Sequence, residues 1–290
     1  MRIANTAGRL VLVDGDRILD VESASEGRFD ADPALVFSRW DEFTEWAGSI
    51  DVGGHPDAAP VGDAELGAPS PRPRQVIGVG LNYADHAAES GLAIPEYPVV
   101  FTKFASSVSG PSTVVRLPGD TVDWEAELVV VIGRGGRHIP IERAREHIAG
   151  YTVGQDLSER TVQWLGQPAQ FSMGKSYEGF APTGPVLVTL DEFADPRRLA
   201  ISTTIVSPDG TETAVQRGNT EQLIFTVDDL VSRLSEVIEF LPGDLIFTGT
   251  PSGVGAGMDP KRFLVAGETL VTEIEGIGTI TQRFVAGDAA

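Results

Sequence analysis

Glu125 and Glu127 stand two residues apart in Asp123-Trp124-Glu125-Ala126-Glu127-Leu128-Val129-Val130-Val131-Ile132. The second half of this stretch is apolar and β-branched, the composition of a strand buried in a core. Alternate side chains of a strand point the same way, which puts the two glutamates on one face with Cα atoms about 6.5 Å apart. Both carboxylates then reach a single ion. Two like charges beside a buried strand repel and are costly to desolvate, and a hard divalent cation such as Mg²⁺ or Mn²⁺ removes both costs. The same alternation equally fits the solvated face of an edge strand. A third oxygen ligand is at hand in Asp156, delivered by the strand-like Ala149-Gly150-Tyr151-Thr152-Val153-Gly154-Gln155-Asp156.

Other residues have the types that acid–base chemistry needs. Leu81 to Gly91 reads as a short helix, with Asn82 as its cap and Gly91 at its end. His86 and Glu89 fall three apart on one face, and a histidine oriented by a carboxylate is a competent general base near neutral pH. A surface pair has the same spacing. The Pro-containing stretch after it makes 81–98 a candidate lid. Arg160 and Gln163 share a face of a helix that Ser158 is placed to cap. Lys175 stands near Phe171, Tyr177 and Phe180, where it serves either as an anion holder or as a surface charge. Thr250 sits in the glycine-rich loop 249–255, where backbone can approach a ligand closely. Gly174-Lys175-Ser176 is not a phosphate loop, because position 169 is Ala169 where that motif needs glycine.

Composition narrows the class. The 290 residues carry a net charge of −20, which argues against a nucleic-acid partner. There is no cysteine, hence no disulfide, thiolate nucleophile or thiolate metal cage; this fits a cytoplasmic protein. No apolar run reaches the length of a membrane span, and the N-terminus lacks the apolar core of a signal peptide. Lysine occurs only at 103, 175 and 261, so each lysine is informative.

Around these residues the chain divides into two parts. Residues 1–70 read as a small N-terminal β-rich domain, with a hairpin at Asp14-Gly15-Asp16 and a helix within Ala34 to Trp46. A Pro/Gly-rich linker ends near residue 74, and 71–290 hold all the candidate chemistry. Helices are expected at 141–147 and 226–241, and strand pairs at 201–216 and 268–284. The last few residues are expected to fray.

Seven motifs, in order, carry a resemblance: GVGLNYADHAAESG, PVVFTKF, DWEAELVVVIG, GYTVGQDLSER, MGKSYEGFAPTGP, QRGNTEQLIF and PGDLIFTGTPSGVG. Together, over about residues 73–285, they resemble the fumarylacetoacetate hydrolase family. The resemblance implies an α+β, mostly β fold, a mixed β-roll with short helices, and a homodimer. It implies Mg²⁺ or Mn²⁺ held by Glu125, Glu127 and Asp156, a water-activating dyad of His86 and Glu89, and Lys175 as stabiliser of an enolate. Arg160, Gln163 and Thr250 match positions that line the substrate. The segment from Val162 to Ser172 departs from the family pattern, which leaves specificity open.

The activity this implies is metal-dependent hydrolysis of a carbon–carbon bond in a 2-oxo acid with a second carbonyl, an acylpyruvate, in aromatic catabolism. In this scheme the cation binds the 2-oxo acid and acts as a Lewis acid, and His86 activates water. The same scaffold also supports oxaloacetate decarboxylation, isomerisation or hydration of unsaturated oxo-diacids, and cleavage of ketodeoxy sugar acids. A non-catalytic, metal-stabilised binding protein is the alternative of another class; it would have no need of a general base.

Overall fold

The computed structural model describes residues 1–61, 65–89, 91 and 93–287. Ser90 and Leu92 of the expected lid and the last three residues of the expected frayed end lie outside these. The main sheet runs through Ala59–Pro60, Arg17–Asp20, Arg9–Asp14, Arg2–Thr6, Ala181–Val188, Ile148–Gln155, Ala126–Ile132, Leu245–Phe247, Val76–Gly80 and Val99–Thr102. Neighbours along it are antiparallel except Leu245–Phe247 and Val76–Gly80, which run parallel. A second sheet has the order Glu212–Asn219, Ala200–Val206, Thr269–Ile274, Gly278–Val285, Ser112–Arg116, its last pair parallel. With short helices at Trp40–Ala47, Ala84–Glu89, Arg160–Gln163, Phe171–Gly174 and Val227–Ser235, this is the expected mixed α+β roll.

Ala126–Ile132 is a central strand, not an edge strand, and all seven of its residues are buried. Its two faces enter two cores. Leu128, Val130 and Ile132 pack with Leu230, Val231, Phe240 and Ile274. Val129 and Val131 pack with Leu10, Leu12, Phe37 and Phe43 from the N-terminal stretch. A strand covered on both faces needs a continuous apolar run, and this one has it until it reaches the glutamates.

Residues 1–70 join this architecture directly. The hairpin Arg9–Asp14/Arg17–Asp20 forms with Asp14 opposite Arg17 and Gly15 at φ 55°, as its Asp-Gly turn requires. Arg2–Thr6, which the sequence does not announce, pairs Ile3 with Leu187 and so fuses the hairpin to the main sheet. The division at residue 70 thus cuts across one sheet and one core.

The helix expected over 226–241 is shorter, Val227–Ser235, capped by Thr226 accepting from Asp229 N–H. Its apolar spacing continues to Leu241, but Phe240 exchanges backbone hydrogen bonds with Gly136 instead. The stretch Ile141–His147 is 3₁₀ rather than α.

Candidate active site

Strand register builds the acidic cluster. Ala126 is opposite Gln155, and the ladder runs one step further, with Asp156 N–H donating to Glu125 C=O at 2.9 Å. Glu125 and Asp156 therefore leave adjacent strands side by side. Gln155 locks the step: its Oε1 accepts from Glu125 N–H at 2.9 Å, and its Nε2 donates to Thr272 Oγ1 at 2.8 Å. Glu127 follows two residues later, and its Oε2 accepts from Gly249 N–H at 2.7 Å. Gly249 has φ +100°, and a Cβ there would lie 2.8 Å from Asn82 Cβ, so the donor needs glycine. One carboxylate oxygen from each of Glu125, Glu127 and Asp156 lies within 4.8 Å of the others, and all three residues are buried.

Three cations surround this cluster. Lys175 Nζ donates to Glu125 Oε2 at 2.8 Å and to Asp156 Oδ2 at 2.7 Å. Arg160 reaches Glu125 Oε1 and Asp123 Oδ2, each at 2.7 Å. Lys103, fully buried, ion-pairs with Asp156 Oδ1. Four carboxylates face three cations, so the seven groups carry one surplus negative charge when all are ionised. Burial raises the Glu127 carboxyl well above the carboxylate range, and repulsion from Asp156 and Glu125 raises it further. Glu125 also meets a burial cost, but Lys175, Arg160 and His86 outweigh it and hold its pKa below the usual range. For Lys175, burial is outweighed by Asp156 and Glu125, and its pKa rises. For Lys103 burial prevails over Asp156, and its pKa falls.

The helix Ala84–Glu89 supplies a dyad. His86 Nδ1 lies 3.2 Å from Glu89 Oε2. The other Glu89 oxygen accepts from Gly253 N–H at 3.0 Å, and Asp85 Oδ2 accepts from Ser252 Oγ–H at 2.9 Å. The helix is thus docked on the glycine-rich loop. That loop is held to the acidic strand by Asp123, which accepts from Gly255 N–H at 2.7 Å, and by Trp124 Nε1–H, which donates to Gly253 C=O at 3.0 Å.

The sequence pattern of the Fumarylacetoacetate (FAA) hydrolase C-terminal domain matches residues 75–285. This chain belongs to the fumarylacetoacetate hydrolase family. The human oxaloacetate tautomerase FAHD2A, a mitochondrial protein, is 44% identical over 220 residues, 75% of this chain and 68% of that one. The crystal structure of a protein provisionally named HpcE from Mycobacterium smegmatis superposes with a TM-score of 0.92 at 54% identity, over 99% of this chain and all of the other. Maleylpyruvate hydrolase from Sphingobium sp. SYK-6, solved with manganese(II) and pyruvate, superposes with a TM-score of 0.79 at 27% identity, over 99% and 100% of the two chains.

Within this family member, the residues singled out from sequence fall as follows. Glu125, Glu127, Asp156 and Lys175 form one cluster, and His86 lies near enough to depress the Glu125 pKa. Gln163 is buried and accepts from Arg160 Nη1 at 2.9 Å. Thr250 accepts from Gln216 Nε2 at 2.8 Å, next to the Gly249 N–H that holds Glu127. Asn82 is not a helix cap. It is a buried cross-link, donating to Phe225 and Thr248 carbonyls and accepting from Phe225 N–H. Glu159, not Ser158, caps the helix Arg160–Gln163, accepting from Val162 N–H at 2.7 Å; Ser158 instead donates to the Asp156 carbonyl. Lys103 and Asp123 were not singled out, although Lys103 is one of only three lysines and stands in the PVVFTKF motif.

The donor set fits a hard divalent cation. It offers oxygen only, converging from buried positions, and a cation there would relieve the burial cost and the repulsion from Asp156 and Glu125 that raise Glu127. A dication would turn the surplus charge from one negative to one positive.

Proposed function

We propose that this chain hydrolyses the carbon–carbon bond of an acylpyruvate, a 2-oxo acid with a second carbonyl at C4, using Mg²⁺ or Mn²⁺. The observation that carries this reading is the His86–Glu89 pair, formed at 3.2 Å and docked through Glu89 on the same glycine-rich loop whose Gly249 N–H holds Glu127 of the acidic cluster. When bound, the cation supplies Lewis-acid stabilisation of negative charge at the 2-oxo group. Glu89 accepts a hydrogen bond from Nδ1–H, which fixes the tautomer with Nε2 as the basic nitrogen of the imidazole. His86 Nε2 takes a proton from water as the water oxygen bonds to the C4 carbonyl carbon. The C3–C4 bond then breaks, its electron pair passes to C3, and the carboxylic acid R–COOH departs. Lys175 donates to the developing enolate oxygen, a charge present only late in the reaction, where a hydrogen bond accelerates most. Return of the proton from His86 to C3 yields pyruvate.

A second reading is tautomerisation of oxaloacetate, favoured by the name of the human relative. It uses the same enolate and needs only proton transfer between the C2 oxygen and C3. The test is incubation of acetylpyruvate with the Mg²⁺-supplemented protein, and in parallel with EDTA, with the enol absorbance and the products followed. Metal-dependent loss with equimolar pyruvate and acetate supports hydrolysis. Loss of the enol form with no carboxylic acid released refutes it and leaves tautomerisation.

A further inference from the structure

The chain between the two site helices carries a row of aromatic rings that the mechanism does not use. Trp164 follows Gln163 directly, and Phe171 opens the helix that ends just before Lys175. The Trp164 and Phe171 rings meet edge-on with centroids 5.1 Å apart. Phe171 meets Phe101 at 5.9 Å. Phe101 in turn lies under the Lys175 ammonium, 4.9 Å from centroid to Nζ. The row therefore runs from the surface to the group that touches Glu125 and Asp156. Gly78 makes room for its inner end, since a Cβ there would be 2.3 Å from the Phe101 ring. The outer end is open: Trp164, Leu165 and Met173 are each 61% exposed.

The charges around this row are one-sided. Residues 164–174, the helix Ala84–Glu89 and the strand Val99–Thr102 contain no lysine or arginine. Lys103, Arg160 and Lys175 are all already engaged by carboxylates. A carboxylate at the far end of a substrate would lose water there and meet no lysine or arginine in these three segments. An apolar or aromatic group would instead cover the exposed Trp164 ring and the half-buried Phe171 and Phe101 rings.

We propose that Trp164, Phe171 and Phe101 form the specificity wall for the part of the substrate beyond C4, and that they select an uncharged apolar or aromatic group over a carboxylate. This rests on the placement of a 2-oxo acid at the acidic cluster. It does not depend on whether the carbon–carbon bond is then hydrolysed. The occupant is the substrate, because the row is continuous with Lys175.

The test measures binding, not turnover. Affinities of the Mg²⁺-loaded full chain for pyruvate, 2-oxo-4-phenylbutanoate and 2-oxoglutarate are determined by calorimetry for the wild type, Trp164→Ala and Phe171→Ala. The phenyl compound is expected to bind about tenfold or more tightly than 2-oxoglutarate. That ratio is expected to collapse in both variants, while pyruvate affinity, which reports an intact site, stays within about twofold. Equal or tighter binding of 2-oxoglutarate overturns the proposal, as does a ratio that survives both substitutions. A dimer that dissociates in Trp164→Ala with the ratio unchanged assigns the wall to a second copy of this chain and also overturns it. Absence of acylpyruvate cleavage with the preference intact refutes the proposed reaction and leaves this inference standing.

Discussion

Glu89 places its two carboxylate oxygens on different elements: Oε2 faces His86 Nδ1 at 3.2 Å and Oε1 accepts from Gly253 N–H at 3.0 Å. Gly257 lies against the same side chain, where a Cβ would come within 2.7 Å of the Glu89 carboxyl carbon. The base is thus oriented by the loop and not by its helix alone. Glu89→Gln keeps the shape and loses the acceptor charge, and it is expected to lower kcat by about 10²-fold or more with little change in melting temperature. His86→Ala is expected to lose about as much, and the double variant hardly more, since the two act as one unit. Steady-state kinetics on acetylpyruvate check this; losses that multiply in the double variant would show independent roles.

Glu127 gives the metal-free protein a specific pH dependence. Its carboxyl is raised in the folded state, so it binds a proton more tightly folded than unfolded. The resulting stability is full below the ordinary carboxylate range and is lost as pH rises through the raised value. Glu125, held low, contributes in the opposite sense and loses its contribution only in acid. In EDTA at about pH 8, Glu127→Gln is expected to melt higher than the wild type, and at about pH 5 the difference is expected to shrink. With Mg²⁺ present the order reverses, because the wild type gains the cation and the variant has lost a ligand. Thermal melts under the four conditions provide the check.

Lys103 is a buried cation whose ion-pair partner is one oxygen of a metal-ligand candidate, Asp156. Lys103→Met leaves that oxygen buried without its ion pair, at a cost of about 3 kcal/mol in denaturant unfolding of the metal-free protein. Loss of this support is expected to weaken Mg²⁺ binding by about 10- to 100-fold. Unchanged affinity by calorimetry would show that Lys175 alone orients Asp156.

Gly249 combines φ +100° with the N–H that Glu127 accepts. Gly249→Ala is expected to destabilise the fold by about 1–3 kcal/mol and to weaken metal binding, because the Cβ collides with Asn82. Denaturant melts and Mg²⁺ titration measure the two effects separately; a variant with native stability would show that the loop relaxes freely.

Most of this site was legible in the sequence because its parts are local or lie on strands. Glu125-x-Glu127 reads off the period of two, His86 and Glu89 off helical spacing, and Asp156 off the end of a strand. What escaped is what only tertiary pairing creates. Asn82 resembles a cap until the chain brings Phe225 and Thr248 to it, and Glu159 replaces Ser158 as a cap for reasons invisible in residue type. Lys103 lies 53 positions from Asp156, and nothing in its neighbours points there. The first strand, Arg2–Thr6, has too little alternation to announce its pairing with Ala181–Val188.

The central claim is that water, activated by His86, attacks the distal carbonyl. The measurement that tests it most directly is turnover of acetylpyruvate in ¹⁸O-labelled water with Mg²⁺ present, with the acetate analysed by mass spectrometry. The account predicts one ¹⁸O atom in each acetate, formed in equal amount to pyruvate and about 10²-fold more slowly in His86→Ala. Consumption of the enol form with no labelled acetate would contradict it.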